Sequence, residues 1–245
     1  MEKDILPCLA ASYGDIHERV ITCGDPKRAE KIAQKLENVK CVAKNREFWT
    51  YNGEYKGTKI TVSSHGVGAG GSAILFESLV RAGAKAIIRV GTCGGMQDHI
   101  DAGSIVIATG ACREEGVTDK ILPISYPAIA HRDIVNALES SAKDLGIKTN
   151  TGIILTQALF YPGLIESTVK TYMKAGVIAM ENEAAALLVI ASLANIKAGV
   201  ILAADAKAFE LVGVSGYKPD KEAVHKAVED EIDIALNALT KIYID

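Results

Sequence analysis

The chain has 245 residues, of which 49% are hydrophobic and 23% are charged, a composition typical of a globular protein with a sizeable core. A formal net charge of −3 argues against nucleic acid or an acidic membrane as the main partner, because it supplies no basic field. The five cysteines include no Cys-x-x-Cys pair, which argues against a zinc cluster and a disulfide framework. The sequence has no signal-peptide pattern and no apolar run of membrane-spanning length, so we expect a cytoplasmic protein.

The first predicted strand is Arg19–Cys23. We expect Gly24, Asp25 and Pro26 to end it, because Asp25 can cap a helix and proline is tolerated at the first helical position. Gly24 and Arg28 then lie at a strand-to-helix turn, where the helix N-terminus and the arginine favour an anion. An exposed helix arginine is the alternative interpretation of Arg28.

Three strands are predicted next, over residues 39–43, 47–55 and 58–64, followed by His65, several glycines and a helix. The glycine run GVGAGG is not the GxGxxG of a dinucleotide site, and no acidic residue follows at the usual offset. The pattern therefore disfavours an NAD site. It favours a hydrogen-bonded, structural role for His65.

Residues 86–95, AIIRVGTCGG, combine an apolar strand with one arginine and three glycines. Arg89 carries a charge that is costly to bury unless an anion meets it. Glycines after a strand predict bare backbone N–H groups that an anion or a sugar can approach. The alternative is a turn after a core strand, with Arg89 in an internal ion pair.

The second half of the chain continues the alternation of strands and helices. Strands are predicted over 104–109, 151–155, 177–180 and 197–204, and helices over 131–145, 164–174, 184–194 and 223–242. The loop at Phe160 and the segment 207–220 are candidate lids. This order predicts a single α/β domain over residues 1–245, with a mixed, mostly parallel central sheet flanked by helices.

Polar residues follow four of the predicted strands. They are Gly24 with Arg28, the segment Arg89–Gly94, Glu181 with Glu183, and Asp205. Because α/β folds bind ligands at the carboxyl ends of their strands, we expect these residues to converge. Arginine forks match phosphate oxygens, and a glutamate accepts hydrogen bonds from two vicinal hydroxyls. The set suits a phosphate with a ribosyl group, although glutamates at a helix start also complement the helix dipole.

The chain resembles the purine nucleoside phosphorylase/uridine phosphorylase family, in its hexameric branch, from about Arg19 to the last helix. The segments that carry the resemblance are Gly24-Asp25-Pro26-x-Arg28, Asn45-Arg46-Glu47, Ser64-His65-Gly66-Val67-Gly68, Ile88-Arg89-Val90-Gly91-Thr92-Cys93-Gly94, Phe160-Tyr161-Pro162 and Glu181-Asn182-Glu183-Ala184. Each is weak evidence alone, and together they are specific. The resemblance implies a homohexamer, built as a trimer of dimers with shared active sites. It also implies inorganic phosphate as co-substrate and no metal or organic cofactor.

The resemblance further implies a role for each site residue. Phosphate would be held by Gly24, Arg28, Arg89, Gly91 and Thr92, with Arg46 reaching in from a neighbouring subunit. The ribose would be bound by Glu183, next to Asn182, with Cys8 standing where the family supplies a histidine to a neighbour's 5′-hydroxyl. The base would contact Cys93, Gly94, Phe160, Met180 and Glu181. Asp205 would protonate a purine at N7. Asp205 and Arg89 are the two residues that we expect to be catalytic.

Some positions depart from the family's pattern. Leu164 and Glu166 stand where uridine phosphorylases carry the glutamine and arginine that clamp uracil, and this loss, with Asp205, indicates a purine base. Thr92 favours uridine, because purine enzymes tend to have serine there. Asn182 replaces a methionine. The arginine that assists the purine acid has no clear counterpart, and the candidate substitutes are Lys207, Lys218 and His225.

We therefore expect a pentosyltransferase of purine salvage that converts a purine nucleoside and phosphate to free base and ribose 1-phosphate. A uridine phosphorylase is the first alternative. A nucleosidase that uses water is disfavoured, because water needs none of the three arginines. A non-catalytic nucleoside-binding protein is the alternative outside enzymes. The sequence does not rank inosine, guanosine and adenosine.

Overall fold

A computed structural model describes residues 4–244, without the side chains of Phe209, Glu210, Val212 and Val214. The strands are β1 (Arg19–Cys23), β2 (Glu37–Asn45), β3 (Phe48–Tyr55), β4 (Thr58–Ser64), β5 (Ala86–Gly95), β6 (Ile105–Glu114), β7 (Ala128–Ile129), β8 (Thr149–Gln157), β9 (Ala179–Glu181) and β10 (Lys197–Lys207). The helices are α1 (Pro26–Ala33), α2 (Ala69–Ala82), α3 (Arg132–Asp144), α4 (Val169–Lys174), α5 (Ala184–Leu193), α6 (Phe209–Gly216) and α7 (Lys221–Lys241).

One mixed sheet joins these strands in the order β10-β6-β8-β9-β5-β1-β4-β3-β2, with β7 beside β6. Parallel pairs form its centre, where β1 lies between β4 and β5 and β5 also pairs with β10. The pairing of β5 with β10 closes β5, β9, β8, β6 and β10 into a ring, so this half of the sheet is barrel-like. The α/β domain with a mixed sheet is confirmed; the ring was not predicted.

Helices cover both faces of the sheet, and the central strands alternate between them. On β5, Ile87 packs into the core beneath α2 and α5, whereas Ile88 packs into the core beneath α1, α3 and α7. On β10, Val200 and Ile201 divide in the same way. This period of two is what a strand buried on both faces requires. No helix within residues 4–244 is both long and apolar enough to span a membrane.

The glycines of the central motif do not form a turn, which was the alternative interpretation of this stretch. Strand β5 continues through them to Gly95, because its last residues pair with β10 and β9. Instead, the glycines permit close packing. A Cβ at Gly91 would lie 2.7 Å from the Arg89 guanidinium, and one at Gly95 would lie 2.2 Å from the carbonyl oxygen of Ile100. Because glycine has no Cβ, the Arg89 guanidinium can lie against Gly91, and the backbone at Ile100 can lie against Gly95.

One prediction for the second half is also wrong. The helix expected from residue 164 begins only at Val169, where the Ser167 hydroxyl accepts the Val169 N–H, and the side chains of Leu164 and Ile165 are almost fully exposed. The segment 207–220, a candidate lid, contains α6, which is interrupted at Gly213 by a positive φ of 64°.

Gly95→Ala tests the close packing of β5. Because the new Cβ would meet a backbone oxygen, the chain must shift, and we expect the free energy of unfolding to fall by about 1–3 kcal/mol. Gly70→Ala in α2 is the matched control, since its Cβ would meet no atom within 4 Å. That variant should be neutral or gain up to about 1 kcal/mol. Urea denaturation measures both, and equal effects would contradict the packing account.

Candidate active site

Two adjoining clefts lie at the carboxyl ends of β1, β5, β9 and β10. The arginine cleft, of about 490 Å³, is lined by Gly24, Asp25, Pro26, Arg28, Gly66, Val67, Arg89, Gly91, Thr92, Phe160, Glu181, Asn182 and Glu183. The Asp205 cleft, of about 100 Å³, is lined by Thr92, Cys93, Gly94, Gln157, Leu159, Phe160, Met180, Glu181, Asn182, Asp205, Ala208 and Tyr217. The clefts share the wall formed by Thr92, Phe160, Glu181 and Asn182.

The predicted site residues divide between these clefts by expected ligand. The five expected to hold phosphate from within the chain, Gly24, Arg28, Arg89, Gly91 and Thr92, line the arginine cleft. The five expected at the base, Cys93, Gly94, Phe160, Met180 and Glu181, line the Asp205 cleft together with Asp205. Strand ends that are far apart in sequence therefore converge as expected. Burial raises the pKa of the Cys93 thiol well above its usual value, so this thiol is uncharged.

Arg46 and Cys8 line neither cleft and lie together elsewhere on the described surface. The Asn45 amide joins their two segments, because Nδ2 donates to the carbonyl oxygens of Pro7 and Cys8 at 3.0 and 2.9 Å. Arg46 follows with a positive φ of 52° and an exposed side chain. Its carbonyl oxygen accepts a hydrogen bond from Trp49 Nε1 at 3.0 Å. The two residues expected to serve a neighbouring subunit thus share one surface.

Arg89 is buried at the centre of the site and is held from three directions. Its Nε and Nη2 donate to Glu181 Oε2 at 3.2 and 3.0 Å, and Nη2 also donates to Glu183 Oε2 at 2.5 Å. Its Nη1 donates to His65 Nε2 at 3.1 Å. Burial lowers the pKa of Arg89, but the carboxylates of Glu183 and Glu181 raise it by more than burial lowers it. The net shift is upward, so the charge is retained.

His65 is a structural partner of Arg89, as the sequence favoured. An arginine can only donate, so Nε2 accepts, and Nδ1 carries the hydrogen that is shared with the Gly66 carbonyl oxygen at 2.8 Å. Burial, reinforced by Arg89, lowers the pKa of His65 well below its usual value. The ring is therefore neutral, and it fixes one edge of the guanidinium.

Glu181 anchors both the arginine and the start of α5. Its carboxylate accepts the hydroxyl of Thr156 at 2.6 Å and the N–H groups of Glu183 and Ala184 at 2.8 and 2.9 Å. Glu183 Oε1 accepts the Gly68 N–H at 2.5 Å. Burial raises the pKa of Glu183, and Arg89 opposes the shift. Glu181 therefore caps the start of α5, and both glutamates line the arginine cleft.

Tyr217 is the partner of Asp205 that sequence reasoning missed. Its hydroxyl donates to Asp205 Oδ2 at 3.0 Å, and its ring lies edge-on to Phe160 with the centroids 6.0 Å apart. Burial raises the pKa of Asp205, and the Tyr217 hydrogen bond opposes the shift. Burial and the nearby Asp205 raise the pKa of Tyr217 to about 12, so its hydroxyl remains a donor at neutral pH.

None of the basic residues that the sequence offered as partners of Asp205 lies beside it in the Asp205 cleft. Lys207 Nζ donates to the carbonyl oxygens of Gln97, Asp98 and Ile100 and pairs with Asp101, which directs it away from the cleft. Lys218 and His225 are not among the residues that line the Asp205 cleft. Another missed residue is Gln157, whose carbonyl oxygen accepts from Asn182 Nδ2 at 2.6 Å and which lines the same cleft. Neither Tyr217 nor Gln157 belongs to a motif that could have marked it.

Comparison with known proteins establishes the family. A family model described as the phosphorylase superfamily matches residues 18–244. A guanosine phosphorylase of Halorubrum lacusprofundi is 35% identical over 239 residues, covering 96% of this chain and 98% of that protein. A uridine phosphorylase of Treponema pallidum is 38% identical over 198 residues, covering 77% of each. The crystal structure of purine nucleoside phosphorylase from Toxoplasma gondii, in complex with immucillin-H, matches with a TM-score of 0.92 and 31% identity, covering 98% of this chain and 96% of that one.

The chain therefore belongs to the phosphorylase superfamily, in the group that contains purine nucleoside and uridine phosphorylases, as its motifs predicted. Its fold is the nucleoside phosphorylase fold. These relatives support nucleoside phosphorylase activity, which is a pentosyl transfer. Relatives that act on either kind of base match at similar identity, so the comparisons leave the base open.

Proposed function

We propose that this protein is a purine nucleoside phosphorylase, which uses phosphate to cleave the glycosidic bond and releases a purine and ribose 1-phosphate. The observation that carries the proposal is the arrangement of the clefts. A dianion in the arginine cleft and a base in the Asp205 cleft would stand on opposite sides of a sugar at the shared wall. Phosphorolysis through a cationic, oxocarbenium-like sugar needs this geometry.

In this proposal the phosphate meets a guanidinium that is already oriented. Arg89 is fixed by Glu181 and His65, so little reorganisation accompanies binding. Arg28, which is half-buried at the N-terminal turn of α1, adds a second charge and the helix dipole. Gly24 and Thr92 complete the subsite. All of these groups belong to the protein, and the proposed reaction uses no metal or organic cofactor.

Glu183 would hold the ribose. Each of its carboxylate oxygens accepts one short hydrogen bond, from Gly68 N–H or from Arg89, and each retains a further lone pair. Two vicinal hydroxyls can use these positions. The link to Arg89 means that the group binding the sugar and the group binding phosphate are fixed relative to each other.

Asp205 would protonate the leaving base, which is the step that favours a purine. Burial raises the pKa of Asp205 and brings the acid form closer to neutral pH, as a general acid requires. Tyr217 would orient the carboxyl group. The positions of the uracil clamp support the same conclusion, because Leu164 is fully exposed and Glu166 lines a different groove.

Uridine phosphorylase is the second candidate. The observation that favours it is the Gln157 amide in the Asp205 cleft, since an amide can pair with the donor and acceptor of a uracil ring. Its Nε2 donates to the Leu159 carbonyl oxygen at 2.5 Å, which fixes its orientation.

We also propose a homohexamer, a trimer of dimers, in which Arg46 and Cys8 enter a neighbour's site. Their common surface, joined by Asn45, supports donation of both residues to one partner.

The five cysteines of the described chain form no disulfide, which favours a reducing compartment, and we place the reaction in cytoplasmic purine salvage.

The test of the function is cleavage of inosine, adenosine and uridine, each with and without phosphate. We expect phosphate-dependent loss of inosine, formation of ribose 1-phosphate and no loss of uridine. Turnover of uridine alone would establish the second candidate. Cleavage that is independent of phosphate would contradict both, and no turnover of any nucleoside would favour a binding protein.

Asp205→Asn should reduce kcat/KM for inosine by about 10²–10⁴-fold, because the amide cannot protonate the base. A purine nucleoside with a leaving group that needs no proton should lose much less. Tyr217→Phe is the companion variant. It removes a hydrogen bond that stabilises the Asp205 anion, so the alkaline limb of the pH–rate profile should move to higher pH. If Asp205→Asn reduced kcat/KM equally for inosine and for the nucleoside whose leaving group needs no proton, Asp205 would not be the general acid.

Arg46→Ala should raise KM for phosphate about 10–100-fold, because a charge-assisted contact is lost. Arg81→Ala, an exposed arginine that pairs with Glu77, is the matched control and should leave KM unchanged. The sharper form coexpresses Arg46→Ala with Asp205→Asn chains. If sites are shared, mixed oligomers contain sites with both residues intact, and about a quarter of the activity returns. No recovery would contradict sharing.

A further inference from the structure

Glu231 is a fully buried carboxyl group that the proposed reaction does not use. It lies on α7, and its side chain has no exposed surface. Oε2 accepts the Gly91 N–H at 3.3 Å, and Oε1 lies 3.7 Å from Arg28 Nη1 without a hydrogen-bond partner. Gly91 and Arg28 both line the arginine cleft. Glu231 therefore stands directly behind the subsite where phosphate is proposed to bind.

The charges of this region do not balance if every carboxyl group is ionised. Two cations, Arg28 and Arg89, face three buried carboxyl groups, those of Glu181, Glu183 and Glu231. A phosphate dianion would add two further negative charges. Because like charges in a buried site disfavour ionisation, one carboxyl group is expected to carry a proton when phosphate is bound.

Hydrogen bonding indicates which group that is. Glu181 accepts from Arg89, Thr156 and two backbone N–H groups, and Glu183 accepts from Arg89 and Gly68 N–H. The hydrogen bond that Glu231 accepts from the Gly91 N–H is long, and the Arg28 guanidinium lies 3.7 Å from its carboxyl group. The other groups that face it are Arg89 and the Cys93 thiol from β5, the Cys23 thiol from β1 and the Ala203 N–H from β10. Burial raises the pKa of both thiols, so neither adds charge.

We propose that Glu231 is a positioning residue of the phosphate subsite, which accompanies bound phosphate as the neutral acid and, as an anion, competes with phosphate for Arg28 and the Gly91 N–H. This inference rests on the proposed function, since it needs phosphate in the arginine cleft. Burial raises the pKa of Glu231 to about 8 despite the opposing effect of Arg28. In the free protein, Glu231 therefore changes between its neutral acid and its anion near pH 8, a range that is easily measured.

The sign of the linkage follows from these charges. Bound phosphate would raise the pKa of Glu231 further, so binding takes up a proton when the pH exceeds about 8. Phosphate affinity should therefore fall as the pH rises from 7 to 9. Inorganic phosphate also titrates near neutrality, but equally for every variant, so the ratio of dissociation constants isolates the protein's contribution.

The test is calorimetric titration of inorganic phosphate into the wild-type protein and Glu231→Gln at pH 7 and pH 9. We expect similar dissociation constants at pH 7, where both side chains are neutral, and binding to the wild type about tenfold weaker than to the variant at pH 9. Glu229→Gln removes one charge from the same helix, where Glu229 pairs with Lys35, and it should follow the wild type at both pH values. Glu231→Met repeats the test with an apolar side chain of similar length, should the glutamine variant fail to fold.

The outcomes separate this inference from the function on which it rests. Phosphate binding with the same pH dependence in the wild type and both Glu231 variants would overturn the role of Glu231 and leave the phosphorylase proposal intact. Absence of phosphate binding to every protein, including Glu229→Gln, would overturn both.

Discussion

The burial of Arg89 is the constraint on which the site depends. A guanidinium without exposure must be matched by anions and hydrogen-bond acceptors, and removing one partner of such a group is strongly destabilising. Arg89 takes its partners from the residue after β4, the end of β9 and the start of α5, namely His65, Glu181 and Glu183. Holding one side chain therefore fixes three strands, β4, β5 and β9, and helix α5 relative to each other. Arg89 and its partners are therefore arranged without any bound ligand.

The same requirement separates the carboxyl groups of the site into two kinds. Glu181 is surrounded by donors, which suits a carboxylate that supports structure. Asp205 and Glu231 are poorly compensated, and burial raises the pKa of each. They stand at opposite ends of the site, one at the cleft assigned to the base and the other behind the cleft assigned to phosphate. In the proposed mechanism both ends can hold a proton.

The sequence predicted those features that depend on local rules. Turn and strand signals placed β1 and β4 at their observed bounds, and the rule that ligands bind at strand ends gathered Arg28, Arg89, Glu181 and Asp205 into one region. The continuation of β5 through its glycines depends on pairing with β9 and β10, which no local pattern encodes. The closure of the ring was missed for the same reason.

Tyr217 and Glu231 were missed for different reasons. Tyr217 lies in a segment without periodicity, and only the folded chain brings it to Asp205. Glu231 did leave a signal in the helical spacing. It shares a face of α7 with Ala227, Ile234 and Ala235, all of which are buried. In a helix rich in acidic residues, this register distinguishes the buried carboxyl group of Glu231 from those of its partly exposed neighbours, Glu229, Asp230 and Asp233.

The central claim is that one site holds phosphate in the arginine cleft and the base in the Asp205 cleft, on opposite sides of the wall that the two clefts share. A crystal structure with phosphate and a non-hydrolysable purine nucleoside analogue tests it most directly. The account predicts phosphate against Arg28, Arg89 and Thr92, ribose hydroxyls on Glu183, and the base between Cys93 and Asp205. Phosphate bound outside the arginine cleft, or a base remote from Asp205, would contradict it.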